Sequence, residues 1–394
     1  MLTQEEKQDV IDLCRELVRA KSYSGQEDLV VSALKAYMQR NNFDEIFVDK
    51  YGSIVGCIHG NRPGPKILYD GHIDTVPVPD PSKWKHDPFG AAMVDGKIYG
   101  RGTSDMKGAV AAMAAAAAKV ARDSKRDFAG SIYVAGVVHE ECFEGIAARE
   151  ISSRVKPDIV VIGEASELNL KIGQRGRAEI VVETFGVPAH SANPHMGVNA
   201  VFSMMKLVEE LDKLPPPTHP VLGPGVAVLT DIISTPYPGA SVVPSHCRAT
   251  YDRRLLVGET MESVIAPFKE VIARLEAADP KFKASVSFAS GKEMCHTGIA
   301  IEGERFFPGW LFEEKEDYIQ KALKGIRSVG IDPEITHYSF CTNGSHYAGE
   351  AGIKTLGFGP SLETLAHTDD EYIEEAQLLA VMDGYAAMSV ELLR

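Results

Sequence analysis

Residues 66–74 read KILYDGHID, a short apolar run that leads into a histidine between two aspartates. The apolar run Lys66–Tyr69 predicts a short buried strand. His72 and Asp74 then come just past the carboxyl end of this strand. Open α/β sheets bind their ligands beyond the carboxyl ends of the strands. The stretch therefore predicts both an α/β sheet and one edge of a functional site.

Acidic residues follow two further predicted strands in the same way. Ser131–Val138 leads to Glu140 and Glu141, and Asp158–Ile162 leads to Glu164. Carboxylates that meet at one sheet edge repel each other unless protons or cations neutralise them. We therefore expect a metal site at this edge.

Asp105 adds a further carboxylate in front of an alanine-rich helix predicted over Met106–Val120. Imidazole and carboxylate ligands without thiolate suit zinc, with cobalt or manganese as substitutes. One zinc ion needs about three protein ligands, and this edge offers more acids than that. Two ions that share a bridging carboxylate would account for the surplus.

The order of predicted elements indicates two domains in a chain of 394 residues. Helices at Glu5–Val18 and Glu27–Gln39, with the buried strands above, predict an α/β domain with a mainly parallel sheet. A β-α-β-β-α-β succession of ferredoxin-like type follows, at Ala178–Phe185, Met196–Leu214, Gly225–Ile233, Ala240–Tyr251, Thr260–Ala277 and Lys283–Phe288. A helix near Lys315–Val329 and a strand at Lys354–Gly357 resume the first pattern. We expect a catalytic domain over 1–176 and 291–394, with an inserted domain over 177–290.

Composition excludes several functions. Lysine and arginine count 41 against 55 acidic residues, a net charge of −14, which argues against nucleic acid or an anionic membrane as a partner. The sequence shows no signal peptide, and its longest apolar run is too short to cross a bilayer. Six scattered cysteines without a C-x-x-C pair are typical of reduced thiols in a cytoplasmic protein. Dinucleotide, Walker A and serine-hydrolase motifs are absent.

Six motifs, in order, resemble those of the co-catalytic zinc hydrolases. These motifs are Gly71–Pro77, Trp84–Phe89, Gly100–Gly108, Glu140-Glu141, Pro188–Ser191 and Ala366–Thr368. The family includes acetylornithine deacetylase, succinyl-diaminopimelate desuccinylase, aminoacylase and carboxypeptidase G. The resemblance runs from about Leu13 to Tyr372 and is greatest for the YgeY-type hydrolases, a group with a poorly defined substrate.

The resemblance implies three ligands for each of two zinc ions. One ion would bind His72, Asp105 and Glu164. The other would bind Asp105, Glu141 and His367, so that Asp105 bridges the pair. By itself each residue has an ordinary explanation, such as a solvated helix start or a surface pair, and only the ordered set of motifs favours the metal role.

The resemblance also implies the catalytic residues. Glu140 would act as the general base, taking a proton from the attacking water and delivering it to the leaving amine. Asp74 would orient the imidazole of His72. His190, in the inserted domain, would donate a hydrogen bond to the oxyanion, in its own or a partner subunit.

Two further residues would bind the substrate. Arg254 matches an arginine that holds a substrate carboxylate, although the neighbouring Arg253 leaves the register uncertain by one. Asn343, where many members have aspartate, would lie in a loop of the substrate cleft.

We expect a cytoplasmic metallohydrolase that cleaves an amide bond in an N-acyl amino acid or a small peptide. A dipeptidase or aminopeptidase would use the same site. A non-catalytic binding relative is a remote alternative, because such relatives usually lose a ligand or the base. The inserted domain is expected to act as a lid and to form a homodimer through its edge strand and helix.

Overall fold

The computed structural model of the protein describes residues 2–394, which form two compact units. The first unit comprises the chain up to residue 174 together with 292–302 and 311–394, and the second comprises 175–291 and 303–310. The α-helices of the described residues are α1 (Gln4–Arg19), α2 (Asp28–Arg40), α3 (Gly108–Ser124), α4 (Ile146–Val155), α5 (Ala200–Leu211), α6 (Met261–Ala278), α7 (Asp317–Ser328) and α8 (Glu375–Leu392).

The strands are mostly short and are distributed over both units. They are β1 (Glu45–Val48), β2 (Ile54–His59), β3 (Arg62–His72), β4 (Ala92–Val94), β5 (Lys97–Tyr99), β6 (Ala129–Val137), β7 (Ile159–Ile162), β8 (Leu170–Gln174), β9 (Gly176–Phe185), β10 (Thr218–His219), β11 (Gly223–Pro224), β12 (Val226–Thr235), β13 (His246–Leu255), β14 (Ala284–Phe288), β15 (Ser290–Met294), β16 (Ala300–Glu304), β17 (Phe306–Phe307), β18 (Trp310–Leu311), β19 (Ile335–Tyr338), β20 (Lys354–Gly357) and β21 (Tyr372–Glu374).

The first unit is built on a nine-stranded sheet in the order β1-β2-β6-β3-β7-β20-β8-β18, with β19 paired to β8. Its centre is parallel, because β3 pairs in parallel with β6 and β7, and β7 pairs in parallel with β20. The pairs β1–β2, β2–β6 and β20–β8 are antiparallel. The expectation of a mainly parallel sheet therefore describes only the centre of a mixed sheet.

Helix α3 carries the alanine-rich sequence and is buried along almost its whole length. Small side chains let it pack closely on the sheet and on α1 and α8. The helix begins at Gly108 and not at Met106, because Asp105 and Met106 have non-helical backbone angles. The segment that carries Asp105 is therefore a separate bend in front of the helix.

The second unit holds a sheet in the order β12-β13-β9-β14, with β17 paired to β9. Helices α5 and α6 pack on the buried side, where Ile180, Val182, Met204, Tyr251 and Phe268 lie in one core. The elements follow one another as β9, α5, β12, β13, α6 and β14. Residues 303–310 were expected in the catalytic domain but belong to the second unit, because β17 pairs with β9.

No helix within residues 2–394 is both long enough and apolar enough to cross a membrane.

Candidate metal centre

Three neighbouring strands of the first unit bring the candidate ligands to one sheet edge. Strand β3 lies between β6 and β7 and pairs in parallel with both. His72 is the last residue of β3. Glu140 and Glu141 follow β6, and Glu164 follows β7. The parallel pairing thus gathers residues that are far apart in sequence.

His72 is the centre of one group of potential ligands. Its Nε2 lies 2.8 Å from Oδ1 of Asp105 and 3.6 Å from Oε1 of Glu164. Ligand atoms of His72, Glu140 and Glu164 all lie within 4.8 Å of one another. All of these side chains are buried or nearly buried.

His367 forms the second group from a loop near the end of the chain. Its Nε2 lies 3.0 Å from Oε2 of Glu141 and 3.2 Å from Oδ2 of Asp105. Ligand atoms of His72, Asp105 and Glu141 also lie within 4.8 Å of one another. The two oxygens of Asp105 therefore face two different histidines, which is the arrangement of a bridging carboxylate. We call His72, Asp105, Glu140, Glu141, Glu164 and His367 together the strand-end cluster.

Asp74 supports this cluster in two ways. Nδ1 of His72 lies 2.9 Å from the Asp74 backbone carbonyl and 3.7 Å from its carboxylate, so the carbonyl is the hydrogen-bond partner. The buried carboxylate instead accepts the backbone N–H groups of Glu140 at 3.1 Å and Glu141 at 3.3 Å. The Ser24 hydroxyl donates to it as well, at 2.7 Å. Asp74 therefore fixes the backbone of the glutamate pair while its carbonyl orients His72.

The carboxylates of the cluster are held in an unfavourable environment. Burial raises the pKa of Glu164 to about 8. Burial also raises the pKa of Glu140 well above its ordinary value, and the neighbouring carboxylates of Glu164 and Glu144 raise it further. The pKa of Glu141 is raised by burial and by Asp105. Burial is the main cause of these shifts, and the neighbouring carboxylates add to it.

In the two histidines of the cluster, the neighbouring carboxylates favour the charged form. Hydrogen bonds to Asp105 and Glu141 raise the pKa of His367 to about 10. Burial disfavours the charged form of His72, yet the hydrogen bond to Asp105 and the charge of Glu164 raise its pKa well above the ordinary value. Burial opposes ionisation of Asp105 too, but its bonds to both histidines lower its pKa.

The donor set fits two divalent cations. It offers two imidazoles and several carboxylates without a thiolate, which matches zinc, cobalt or manganese. Oε1 of Glu140 is buried without a hydrogen-bond partner among the described residues. Cations in place of the shared protons would balance the buried charges.

Residues 68–391 match the profile of the peptidase family M20/M25/M40. The chain belongs to this family. As an M20 protein it is a metal-dependent hydrolase that acts on C–N bonds of amides. The resemblance found in the sequence motifs is thereby confirmed.

Relatives of this M20 hydrolase cover almost its whole length. It is 32% identical to uncharacterized protein YgeY of Escherichia coli (strain K12), over 96% of this chain and 93% of that protein. It is 27% identical to succinyl-diaminopimelate desuccinylase 2 of Ruegeria sp. (strain TM1040), over 96% and 93% of the two chains. Its fold is similar to that of the Bacillus subtilis YXEP protein, described as a dinuclear metal binding peptidase, with a TM-score of 0.73, 14% identity and 99% of both chains covered.

The second unit of the M20 hydrolase carries two of the other expected site residues. His190 is exposed, and its Nδ1 accepts a hydrogen bond from the Ala192 N–H at 3.0 Å. Arg254 lies on β13 and is partly exposed, with its Nε 3.2 Å from Oδ1 of Asp252. Arg253 is buried and paired with Glu259. Of the two arginines, Arg254 is thus the more accessible.

Asn343, the other expected substrate-binding residue, lies in the first unit, and its contact with substrate stays a prediction. Its side chain is buried, with Nδ2 donating to Asp70 at 2.9 Å and Oδ1 accepting from the Gly145 N–H at 2.8 Å. Tyr347 donates to the other oxygen of Asp70. Asn343 therefore fixes the loop after Glu141 to the carboxyl end of β3.

Two polar residues at the site were not predicted from the sequence. Ser24 lies in a loop far from Asp74 along the chain, and a single serine carries no signal of this contact. Glu371 directly follows Asp369 and Asp370, and a run of three acidic residues usually indicates a solvent-exposed segment. In the structure Glu371 is completely buried.

Proposed function

We propose that this M20 hydrolase uses two zinc ions to cleave the amide bond of an N-acyl amino acid or a small peptide, with Glu140 as its general base. One observation carries the proposal: the oxygens of Asp105 face His72 and His367 separately, and Glu140 lies within the same cluster. Cobalt or manganese would substitute for zinc in the same ligand set.

The ligands divide into two sets around Asp105. His72 and Glu164 would complete one site, and Glu141 and His367 would complete the other. Bound zinc ions supply Lewis-acid chemistry, which polarises the amide carbonyl and lowers the pKa of a water molecule. The protein contributes the fixed positions of these side chains, since the parallel strands and Asp74 hold them in place.

Glu140 performs the proton transfers in this proposal. Its carboxylate takes a proton from the water that attacks the carbonyl carbon, and then gives the proton to the leaving amine nitrogen. Burial raises the pKa of this carboxyl, which favours the form that holds the proton between the two steps. The backbone bond from its N–H to Asp74 keeps the side chain near its ligand neighbour Glu141.

Two residues of the second unit complete the proposed chemistry. The Nδ1 of His190 accepts the Ala192 N–H, so a neutral imidazole carries its proton on Nε2, where it can be donated to an oxyanion. Arg254 offers a planar guanidinium for a substrate carboxylate. We propose that the second unit acts as a lid that supplies both residues, in the same subunit or a partner.

We also propose that the second unit forms a homodimer. Strand β12 is at the edge of its sheet and exposes Val228, Ile232 and Ile233 by about half of their surface. Helix α5 exposes Phe202 and Met205. An edge strand and a helix with exposed apolar side chains can pair with a copy of themselves across a two-fold axis. Sedimentation at micromolar concentration should give twice the chain mass of 42.8 kDa.

We propose the cytoplasm as the compartment. Within residues 2–394 none of the six cysteines forms a disulfide, and five of them are buried. Reduced, buried thiols suit a reducing environment.

A substrate panel tests the proposed function. N-acetyl amino acids, N-succinyl amino acids and free dipeptides should be compared on the zinc-loaded protein under one condition. Preference for acylated amino acids would assign a deacylase, and preference for dipeptides would assign the peptidase alternative. The Glu140→Gln variant should retain its metals and lose turnover. Glu6→Gln, which changes a buried carboxylate in the first turn of α1, is the matched control and should retain both.

Turnover of none of these substrates by a chain that binds two zinc ions would contradict the proposed substrate class. Full turnover by Glu140→Gln would contradict the proposed base.

A further inference from the structure

Glu371 connects two parts of the site that are far apart in sequence. Its buried Oε1 accepts the backbone N–H of Ser104 at 2.9 Å and that of Asp105 at 3.1 Å. Its Oε2 accepts a hydrogen bond from Nη1 of Arg101 at 2.6 Å. The carboxylate is completely buried, so none of these three hydrogen bonds is shared with solvent.

The segment around Asp105 needs such an acceptor because it is not a regular helix. Asp105 has φ −127° and ψ 87°, outside the helical region, just before α3 begins. Its N–H therefore has no carbonyl in the preceding turn of a regular helix to accept it. Glu371 satisfies two consecutive N–H groups of this bend, and so fixes the backbone from which the bridging carboxylate projects.

Glu371 lies four residues after His367, on the loop that carries this ligand. The loop is joined to the Asp105 segment by two more bonds. Gly100 N–H donates to the Glu371 carbonyl at 2.8 Å, and the Ser104 hydroxyl donates to the Tyr372 carbonyl at 2.5 Å. His367 itself has φ +62°, a left-handed conformation uncommon for a residue other than glycine, and about half of its side chain is exposed. Its position depends on these bonds more than on burial.

His72 contrasts with His367 in this respect. It ends β3 in the middle of the sheet, is buried, and is held by the Asp74 carbonyl. The bonds between His72 and Glu371 run through Asp105, whereas His367 lies on the same loop as Glu371.

We propose that Glu371 is a positioning residue that sets the placement of His367 relative to Asp105. It thereby controls the affinity of one metal site, formed by Asp105, Glu141 and His367, more than the other. This inference rests on the proposed function, because it assumes that the strand-end cluster binds two ions.

Zinc titration of the metal-free Glu371→Gln variant, followed by calorimetry, tests the inference. Glutamine keeps the shape of the side chain and one acceptor oxygen, but it places an amide N–H₂ or an uncharged oxygen against Arg101. We expect the first equivalent of zinc to bind as in the parent chain. The second equivalent should bind about 10- to 100-fold more weakly, the usual effect of losing a group that supports a ligand.

Cobalt gives an independent readout of geometry. The visible absorption that develops with the second equivalent of cobalt should change in Glu371→Gln, whereas the absorption of the first equivalent should not. Glu6→Gln is the matched control, since Glu6 is also a buried carboxylate that accepts a backbone N–H and pairs with basic side chains. It should bind both equivalents as the parent chain does.

A second variant covers the case in which Glu371→Gln does not fold. Arg101→Met with Glu371→Leu replaces the buried ion pair by apolar groups of similar volume, a change that often preserves stability. It still removes the acceptor for the two N–H groups, so the second equivalent should again be weakened. Parent affinity for both equivalents in the folded variants, or equal loss of both, would overturn the inference. A parent chain that binds no metal would instead overturn the proposed function.

Discussion

Two of the clusters of buried charge in the first unit differ in their balance of positive and negative groups. At the start of α1, the Glu6 carboxylate accepts bonds from Lys119 at 3.1 Å and Arg122 at 2.5 Å, as well as from the Thr3 N–H. Burial alone would raise the pKa of Glu6, but these donors lower it to about 2. In the strand-end cluster, by contrast, burial and neighbouring acids raise the pKa of Glu164 to about 8.

The difference separates a structural cluster from a functional one. Around Glu6 each negative charge has a positive neighbour, so folding stabilises the ionised form and the ionised form stabilises the fold. In the strand-end cluster the protein gathers carboxylates that it does not neutralise, which costs folding free energy unless a cation binds. An arrangement that opposes stability is a mark of a site kept for its chemistry.

The largest expected effect comes from removal of a metal ligand from the strand-end cluster. Glu141→Ala should prevent the chain from binding its full two metal ions and should reduce amide hydrolysis below detection. The physical reason is that Glu141 and His367 face each other across one of the two sites. Metal analysis after dialysis, with a parallel hydrolysis assay, checks this. Full activity in the variant would show that the strand-end cluster is not a functional metal site.

Removal of the base should separate catalysis from stability. In Glu140→Gln we expect kcat to fall by roughly 10²- to 10⁴-fold, the usual contribution of a general base. The metal-free variant should be at least as stable as the parent chain, because a buried carboxylate with an unpartnered oxygen has been neutralised. Steady-state kinetics and urea unfolding measure the two effects. A strongly destabilised variant would show that the Glu140 carboxylate stabilises the fold, as the Glu6 carboxylate does.

Metal removal should weaken the fold through the same cluster. A chelator should lower the free energy of unfolding by about 4 kcal/mol relative to protein in metal at a thousand times its Kd. Addition of zinc should restore the difference. Thermal unfolding with and without chelator, on the parent chain and on Glu141→Ala, checks this, and the variant should show a smaller response. An equal response in both chains would place the stabilising metal elsewhere.

The smallest effect is expected at the balanced cluster, and it should depend on pH. The pKa of Glu6 is about 2 in the folded chain against an ordinary value of 4.5, so its contribution is present above pH 4.5 and is lost as the pH falls towards 2. Glu6→Gln should therefore lower the free energy of unfolding by about 1–3 kcal/mol at pH 7. The gap between variant and parent should close on acidification. A gap that persists below pH 2 would show that packing, and not charge, is responsible.

Much of the first unit could be predicted because its strands are short apolar runs followed by polar residues. The predicted strand Ser131–Val138 coincides with β6 to within two residues at either end, and Lys354–Gly357 coincides with β20. The candidate ligands come together for the same reason, since parallel strands deliver their carboxyl ends to one edge.

Other features depend on tertiary packing, which local patterns do not show. Helix α8 was not predicted, because it is buried on most sides and lacks the polar face that marks an amphipathic helix. The antiparallel outer strands depend on pairings between distant segments. Sequence alone also could not show that the buried amide of Asn343 bonds to Asp70 and Gly145. The burial of Glu371 could not be predicted either, because it follows two other acidic residues.

The central claim is that the strand-end cluster is balanced by metal ions that the reaction requires. The most direct test measures metal content per chain together with hydrolysis of one N-acyl amino acid and one dipeptide, with and without chelator. We expect about two zinc ions per chain, cleavage that stops with chelator, and recovery when zinc or cobalt is returned. No bound metal and no turnover after zinc or cobalt addition would contradict the claim.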